Sequence, residues 1–321
     1  MKPHENMTPE AICTPDFAAA LQAYDRALAD SQALLTSTRF ERGIELRHVK
    51  RIVQPLVEAA LSQEPTTVGL TWACSKNEPW AHGVHVCIVS IGMGQRLGLD
   101  RGALVELGVA ALLHDVGQSA RTDASVAPSR CGEEWRAQVA AYPILGVEAL
   151  ANSTTLNRTS LRAMRVALEH HACGQSGYPK LSAGSRPAAA SRLVAVADAF
   201  VSLLSLNGER GEGITPYEAL GLVLGQAGEG FDGALKAALV RAVGVYPPGQ
   251  VVELDDHALA RVFAPSAADP ERPIVERVTT PEGGILADHE RVVMRLSRDS
   301  SVLRALPFDE WPDLSADAAA A

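Results

Sequence analysis

The chain has 321 residues, 47% of them hydrophobic, 21% charged and only 5% aromatic. This composition excludes disorder, a collagen-like repeat or a disulfide scaffold as a description of the whole chain, and a core made mostly of Ala, Leu and Val favours close-packed helices over a β-sandwich. A net charge of −9 repels a polyphosphate backbone, so neither DNA nor RNA is expected as a partner, whereas a small anion in a locally positive pocket remains compatible.

The five cysteines (Cys13, Cys74, Cys87, Cys131 and Cys173) are odd in number, scattered and without a CxxC pair. They read as reduced thiols of a cytoplasmic protein. The start, MKPHENMTPEAICTP, lacks the apolar core and cleavage site of a secretion signal, and no apolar run is long enough to span a bilayer.

Residues 1–15 carry three prolines and read as a loose tail. From Asp16 the pattern turns helical, with Phe17, Leu21, Tyr24 and Leu28 at three-to-four spacing, and it repeats from Ile44 to Leu61. These two stretches make up an N-terminal helical region over 16–75. Pro79 suits the first position of a helix, whose face is Val84, Ile88, Ile91 and Leu97 and whose end is Gly98. An apolar helix from Leu104 to Leu113 then runs into His114 and Asp115, with Gly117 as a stop. Further helices are expected at 133–142, 143–151, 160–171, 188–206, 217–225 and 233–243. After Tyr246-Pro247-Pro248-Gly249, short runs around Val251, Val262 and Ile274 predict strands, giving a β-rich appendage over 245–300 and a loose end over 301–321. The fold class is therefore mainly α, a helical bundle over 76–244 with an N-terminal helical extension and a small β-rich appendage.

Chemistry concentrates on His82, His114-Asp115, His170-His171 and Asp198. His114 and Asp115 end an apolar helix, and Asp198 stands inside the apolar run LVAVADAF. A buried charge needs a partner. A divalent cation serves all of these groups, because imidazole offers a neutral nitrogen and a carboxylate can bridge two ions. The alternatives are helix caps for His114, Asp115 and the histidine pair, and a core Asp198 bonded to an Arg or a hydroxyl.

The order His82, His114-Asp115, His170-His171, Asp198 resembles the HD superfamily of metal-dependent phosphohydrolases. Ser176-Gly177-Tyr178-Pro179, directly after the paired histidines, narrows the resemblance to the HD-GYP family. AHGVHVCIVSIGMGQRLGL looks like that family's opening helix, AVADAF like its aspartate helix and GVYPPGQVVEL like its β-rich tail. The resemblance implies a bacterial signalling enzyme: an all-helical domain that hydrolyses cyclic di-GMP with water activated at a centre of two or three metals. It carries a first metal set onto His82, His114, Asp115 and Asp198, with His114 and Asp115 as the catalytic pair. His170 and His171 match the paired ligands of further metals, and Glu78, one turn before His82, matches the extra glutamate of trinuclear members. Gly177, Tyr178 and Pro179 would line the substrate, with Arg192, Lys180 and Arg210 as candidate phosphate contacts. The cofactor implied is one or two divalent ions, Fe²⁺ or Mn²⁺.

The chain also departs from the family. The motif HDxGK carries Gln118 in place of Lys, and the expected His-Pro ligand is Tyr142-Pro143. The segment after the paired histidines is one residue shorter than DGxGYP requires, and the basic stretch after the Asp198 helix is replaced by Val201 and Ser205-Leu206-Asn207-Gly208-Glu209-Arg210. Tyr142 is a poorer ligand than imidazole at neutral pH. Two functions follow. One is a phosphodiesterase acting on cyclic di-GMP or a related diester, with reduced activity. The other is a catalytically degenerate module that binds metal, nucleotide or a protein partner without turnover. A phosphohydrolase acting on nucleotides is a third reading, against which the GYP segment speaks. The helices before Trp80 are expected to pack on the main domain, with a protein partner or homodimer surface as the alternative.

Overall fold

The computed structural model describes residues 15–38, 44–62, 79–119, 133–152, 156–172, 177–182, 184–205, 214–225, 228–266, 269–296 and 299–312. Glu78, Arg210, Cys13, Cys74, Cys131 and Cys173 lie outside these residues, as do most of the expected N-terminal tail and the last residues of the chain.

The helices are α1 (Pro15–Thr38), α2 (Leu46–Leu61), α3 (Pro79–Arg96), α4 (Arg101–Leu112), α5 (Val116–Ser119), α6 (Glu133–Ala151), α7 (Arg158–Glu169), α8 (Ala189–Ser205), α9 (Pro216–Leu224) and α10 (Gly233–Val243). The organising element is α3. Its sequence is apolar around nearly the whole circumference, and Ala81, Val84, Val86, Cys87, Ile88, Val89, Ile91 and Met93 are all buried. A helix of that kind must be enclosed, and α3 packs against α1, α2, α4, α8 and α10. Tyr24 of α1 and Val53 and Leu56 of α2 belong to the same core as α3, so the N-terminal helices pack on the main body as expected. Gly108 of α4 permits one close approach, since a Cβ there would lie 2.6 Å from Val53 Cγ1.

Helix ends follow local chemistry. Asp100 caps α4 by accepting from Ala103 N at 2.8 Å. Asn157 with Ser160 and Thr215 with Glu218 form capping boxes at the starts of α7 and α9. The sequence pattern expects two helices meeting at Pro143, but α6 is continuous with Pro143 inside it. A proline forfeits only one internal hydrogen bond, and here Tyr142 and Pro143 are both buried, so packing carries the helix across the break.

The C-terminal sheet has the order β4-β3-β2-β1-β5, with every neighbouring pair antiparallel. Its strands are β1 (Val251–Leu254), β2 (Leu259–Ala264), β3 (Ile274–Arg277), β4 (Val293–Arg295) and β5 (Val302–Ala305). Val252, Leu254, Ala260, Val262, Val275 and Leu296 form its own small core. β5 corrects the expected boundary at 300: Val302–Ala305 pairs with β1 and is not loose. It escapes pattern reading because only two of its four residues are even half-buried, leaving no apolar alternation. Gln250, fully buried, fastens the sheet to the helices. Its amide donates to Val251 O and Leu306 O, each at 2.8 Å, and its oxygen accepts from Tyr217 N of α9 at 3.1 Å.

Candidate metal centre

The candidate side chains reach the centre from four places in the fold. His82 lies in the first turn of α3, His114 and Asp115 in the turn after α4, His170 and His171 at the end of α7, and Asp198 in the middle of α8. The turn after α4 is possible because Gly117 lets α5 touch α6: a Cβ there would sit 2.0 Å from Tyr142 O. Glu169 joins α7 to α8. Its carboxylate accepts from Ala188 N at 2.7 Å and Ser191 Oγ at 2.8 Å, and from Arg165 Nε at 2.8 Å.

Two groups of acceptors converge. In the first, His82 Nε2 is 3.0 Å from Asp198 Oδ1, and His114 Nε2 is 3.4 Å from Asp115 Oδ2 and 3.7 Å from Asp198 Oδ1. In the second, His170 Nε2 is 3.3 Å from Asp115 Oδ1, and His171 lies beside it with ring centroids 4.1 Å apart. The ligand atoms of His82, His114 and Asp115, of His114, His170 and Asp198, and of Asp115, His170 and His171 each lie within 4.8 Å of one another. Asp115 therefore stands between the two groups with one oxygen toward each.

The ring orientations are fixed from behind. His114 Nδ1 donates to Ala111 O at 2.7 Å and His170 Nδ1 to Val166 O at 3.0 Å. A carbonyl can only accept, so in each neutral ring Nε2 is the bare nitrogen and faces the centre. Ser202 Oγ donates to Asp198 Oδ1 at 3.0 Å, and Gln118 Nε2 donates to Asp115 Oδ2 at 2.6 Å.

The electrostatics favour a cation. Burial alone would lower the His114 pKa, but Asp115 and Asp198 outweigh it and hold the pKa well above the usual histidine range. Burial likewise opposes ionisation of Asp115 and Asp198, yet His114 with His170, and His114 with His82, hold those carboxyls well below their usual range. A pocket that binds a proton so firmly attracts other positive charge for the same reason. His114 Nε2 and Asp115 Oδ1 are buried with no hydrogen-bond partner among the described residues, which is costly unless something else meets them. His82, His114, Asp115 and Asp198 thus fit a divalent ion in donor type, and His114 Nε2 adds an unmet bond.

The outer wall is aromatic. Tyr178 stacks on His171 with centroids 4.8 Å apart, and its N–H donates to His171 O at 3.0 Å, anchoring the Gly177-Tyr178-Pro179 segment to the histidine pair. Gly177 is buried and Pro179 half-buried. Burial, then His170, depresses His171 to about 4, and burial pushes Tyr178 up to about 12. Arg192 is ion-paired with Asp232, which also takes Arg186. These residues, with Ala172, Pro187 and Phe231, line a cleft of about 120 Å³ that begins one residue after His171. Two guanidinium groups on one carboxylate leave it net positive. Lys180 is exposed at the far end of the Tyr178 segment.

Sequence reasoning does not name three contributors: Gln118 as a donor to Asp115, Ser202 as a donor to Asp198, and Glu169 as the α7–α8 tie. Ser202 alone was findable, since it lies one helical turn after Asp198.

This bundle and its convergent His/Asp cluster are those of an HD domain. The HD domain family model matches residues 73–235, half of the chain, and the chain belongs to that family. Similar proteins include the cyclic di-GMP phosphodiesterase PA4108 of Pseudomonas aeruginosa, 27% identical over 74% of this chain and 57% of that protein. The cyclic di-GMP phosphodiesterase response regulator RpfG of Xanthomonas campestris pv. campestris is 33% identical over 46% of this chain and 39% of its own length. PdeB of Borreliella burgdorferi, also named a cyclic di-GMP phosphodiesterase, is 22% identical over 64% of this chain and 53% of that protein. The chain spans about half the length of these relatives. Among solved structures, Bd1817 of Bdellovibrio bacteriovorus, described as a HDG"Y"P protein, shares the fold with a TM-score of 0.54 at 17% identity, over 68% of this chain and 69% of that one. No helix among the described residues is long and apolar enough to cross a membrane.

Proposed function

We propose that the chain is a metal-dependent phosphodiesterase that hydrolyses cyclic di-GMP or a closely related cyclic dinucleotide. The observation that carries this reading is the buried His114 Nε2, which has no hydrogen-bond partner among the described residues and lies 3.4 Å from Asp115 Oδ2 and 3.7 Å from Asp198 Oδ1, with His82 beside them. The three relatives named for cyclic di-GMP hydrolysis support the choice of substrate.

His82, His114, Asp115 and Asp198 would hold the ion, Fe²⁺ or Mn²⁺. When bound, such an ion supplies Lewis-acid polarisation of a phosphoryl oxygen and brings the pKa of water toward neutrality. The protein's own residues do the rest. Ala111 O and Val166 O hold the imidazole rings in one tautomer, and Ser202 and Gln118 hold the carboxylates. Tyr178, stacked on His171, offers an aromatic face for a nucleobase. The Arg186–Arg192 cleft beside His171 offers positive charge for a phosphate.

A second reading, a signalling module without turnover, rests on Gln118. Where the family pattern has a lysine, this side chain is an uncharged amide already bonded to Asp115. Protein purified without chelators, assayed for metal and incubated with cyclic di-GMP and Mn²⁺ or Fe²⁺, separates the two. Linear or mononucleotide product that disappears in His114→Ala and Asp115→Ala supports the enzyme. Bound metal with no product supports the module.

A further inference from the structure

Tyr142 closes the second group of acceptors. Its hydroxyl lies 3.2 Å from His170 Nε2, and its ring meets His171 edge-on at 5.7 Å and Tyr178 at 6.3 Å. Because His170 Nδ1–H is committed to Val166 O, the only hydrogen-bonding role left to the neutral ring's Nε2 is to accept, and Tyr142 O–H is the donor. The lone pair that a second ion would need is therefore occupied. The phenol is buried and sits on a helix held against α5 through Gly117. Swinging it away would give up its hydrogen bond to His170 and its packing against His171 and Tyr178. The first group has no such plug: His114 Nε2 has no hydrogen-bond partner there, and the hydrogen bond of His82 Nε2, 3.0 Å to Asp198 Oδ1, joins two prospective ligands.

We infer that this chain holds a single divalent ion per subunit, at His82, His114, Asp115 and Asp198, and that Tyr142 is the residue that excludes a second ion from Asp115, His170 and His171. The inference builds on the metal reading above but not on turnover, so an inactive protein leaves it standing.

The test is manganese stoichiometry. Wild-type protein, stripped of metal and titrated with Mn²⁺, is measured by calorimetry, by elemental analysis after desalting and by electron paramagnetic resonance. About one tight manganese per chain, with the six-line signal of an isolated ion, is expected. Tyr142→His, which places an imidazole where the phenol stands, is expected to take up about two, with the spectrum broadened by coupling between neighbouring ions. Because that variant could fold poorly, His171→Ala in the wild-type background serves as a second arm. It removes only a second-group side chain and is expected to keep the single ion, whereas Asp198→Ala loses it. Two tight ions in the wild type, none in the wild type, or loss of the ion in His171→Ala would each overturn the inference. A folded Tyr142→His protein that still binds one ion would sink Tyr142's role.

Discussion

The two sides of the centre use the same residue types and reach opposite states. On the α3–α4–α8 side, two imidazoles and two carboxylates face one another, and His114 Nε2 lies buried without a partner. On the α6–α7 side, His170 accepts from Tyr142 and His171 lies under Tyr178. The difference teaches that the count of histidines and aspartates at a site matters less than what already satisfies their inward-facing atoms. An imidazole nitrogen that is bare, or bonded only to a neighbouring ligand, can turn to a cation, and one bonded to a phenol is part of the wall.

The contrast breaks first at His114. His114→Ala should abolish metal binding at the first group and reduce any hydrolysis by at least about a thousandfold, several kcal/mol of lost charge stabilisation. Wild-type-like metal content in that variant would show that the bare acceptors are not the binding atoms. Next is the hinge between the two sides. Gly117→Ala drives a Cβ into Tyr142 O, which only backbone movement can relieve, and should destabilise the fold by about 3 kcal/mol in denaturant melts.

Acid stability provides a third test. His85 is buried against Tyr24, with Nε2 and the hydroxyl 2.8 Å apart, and burial followed by the charge of His82 lowers its pKa from 6.5 to about 4. A lowered histidine stays neutral in the folded state while the unfolded chain takes up a proton below 6.5. Stability is therefore full above 6.5 and falls as the pH drops toward 4, by about 3 kcal/mol for this residue. His171 acts in the same direction. His85→Gln keeps a partner for Tyr24 and cannot titrate, so unfolding curves between pH 7 and 4 should flatten, and an unchanged acid limb would refute the assignment. The smallest effect is at Ser202. Ser202→Ala removes one hydrogen bond to Asp198 and should weaken metal affinity about 10- to 100-fold without changing stoichiometry, as read by chelator competition.

Much of this was legible before the fold was known. The helical pattern follows from apolar spacing except at α5, a single turn that stands where Gly117 reads as a stop. The candidate ligands followed from buried charge in apolar helices and from the family resemblance. What sequence could not show depends on pairs far apart in the chain. Nothing around Gln118 or Glu169 reveals which oxygen or N–H it meets, because a hydrogen bond across 19 positions, such as Glu169 to Ala188, leaves no periodic trace. Pro143 misleads for a related reason: the local rule favours a break, and tertiary packing overrules it. Arg192 was singled out as a phosphate contact, and its tie to Asp232 shows that it works as part of a cluster with Arg186.

Glu169 has one more consequence. The chain leaves the centre after His171, forms the Gly177-Tyr178-Pro179 segment and returns at Ala188, and one carboxylate holds both the departure and the return. The excursion is a loop on a closed clasp. Residues can be added to it or removed from it while the gap between its ends stays fixed, so His170 and Asp198 keep their separation whatever the loop becomes. Recognition can drift in the loop while the chemistry stays registered to the helices.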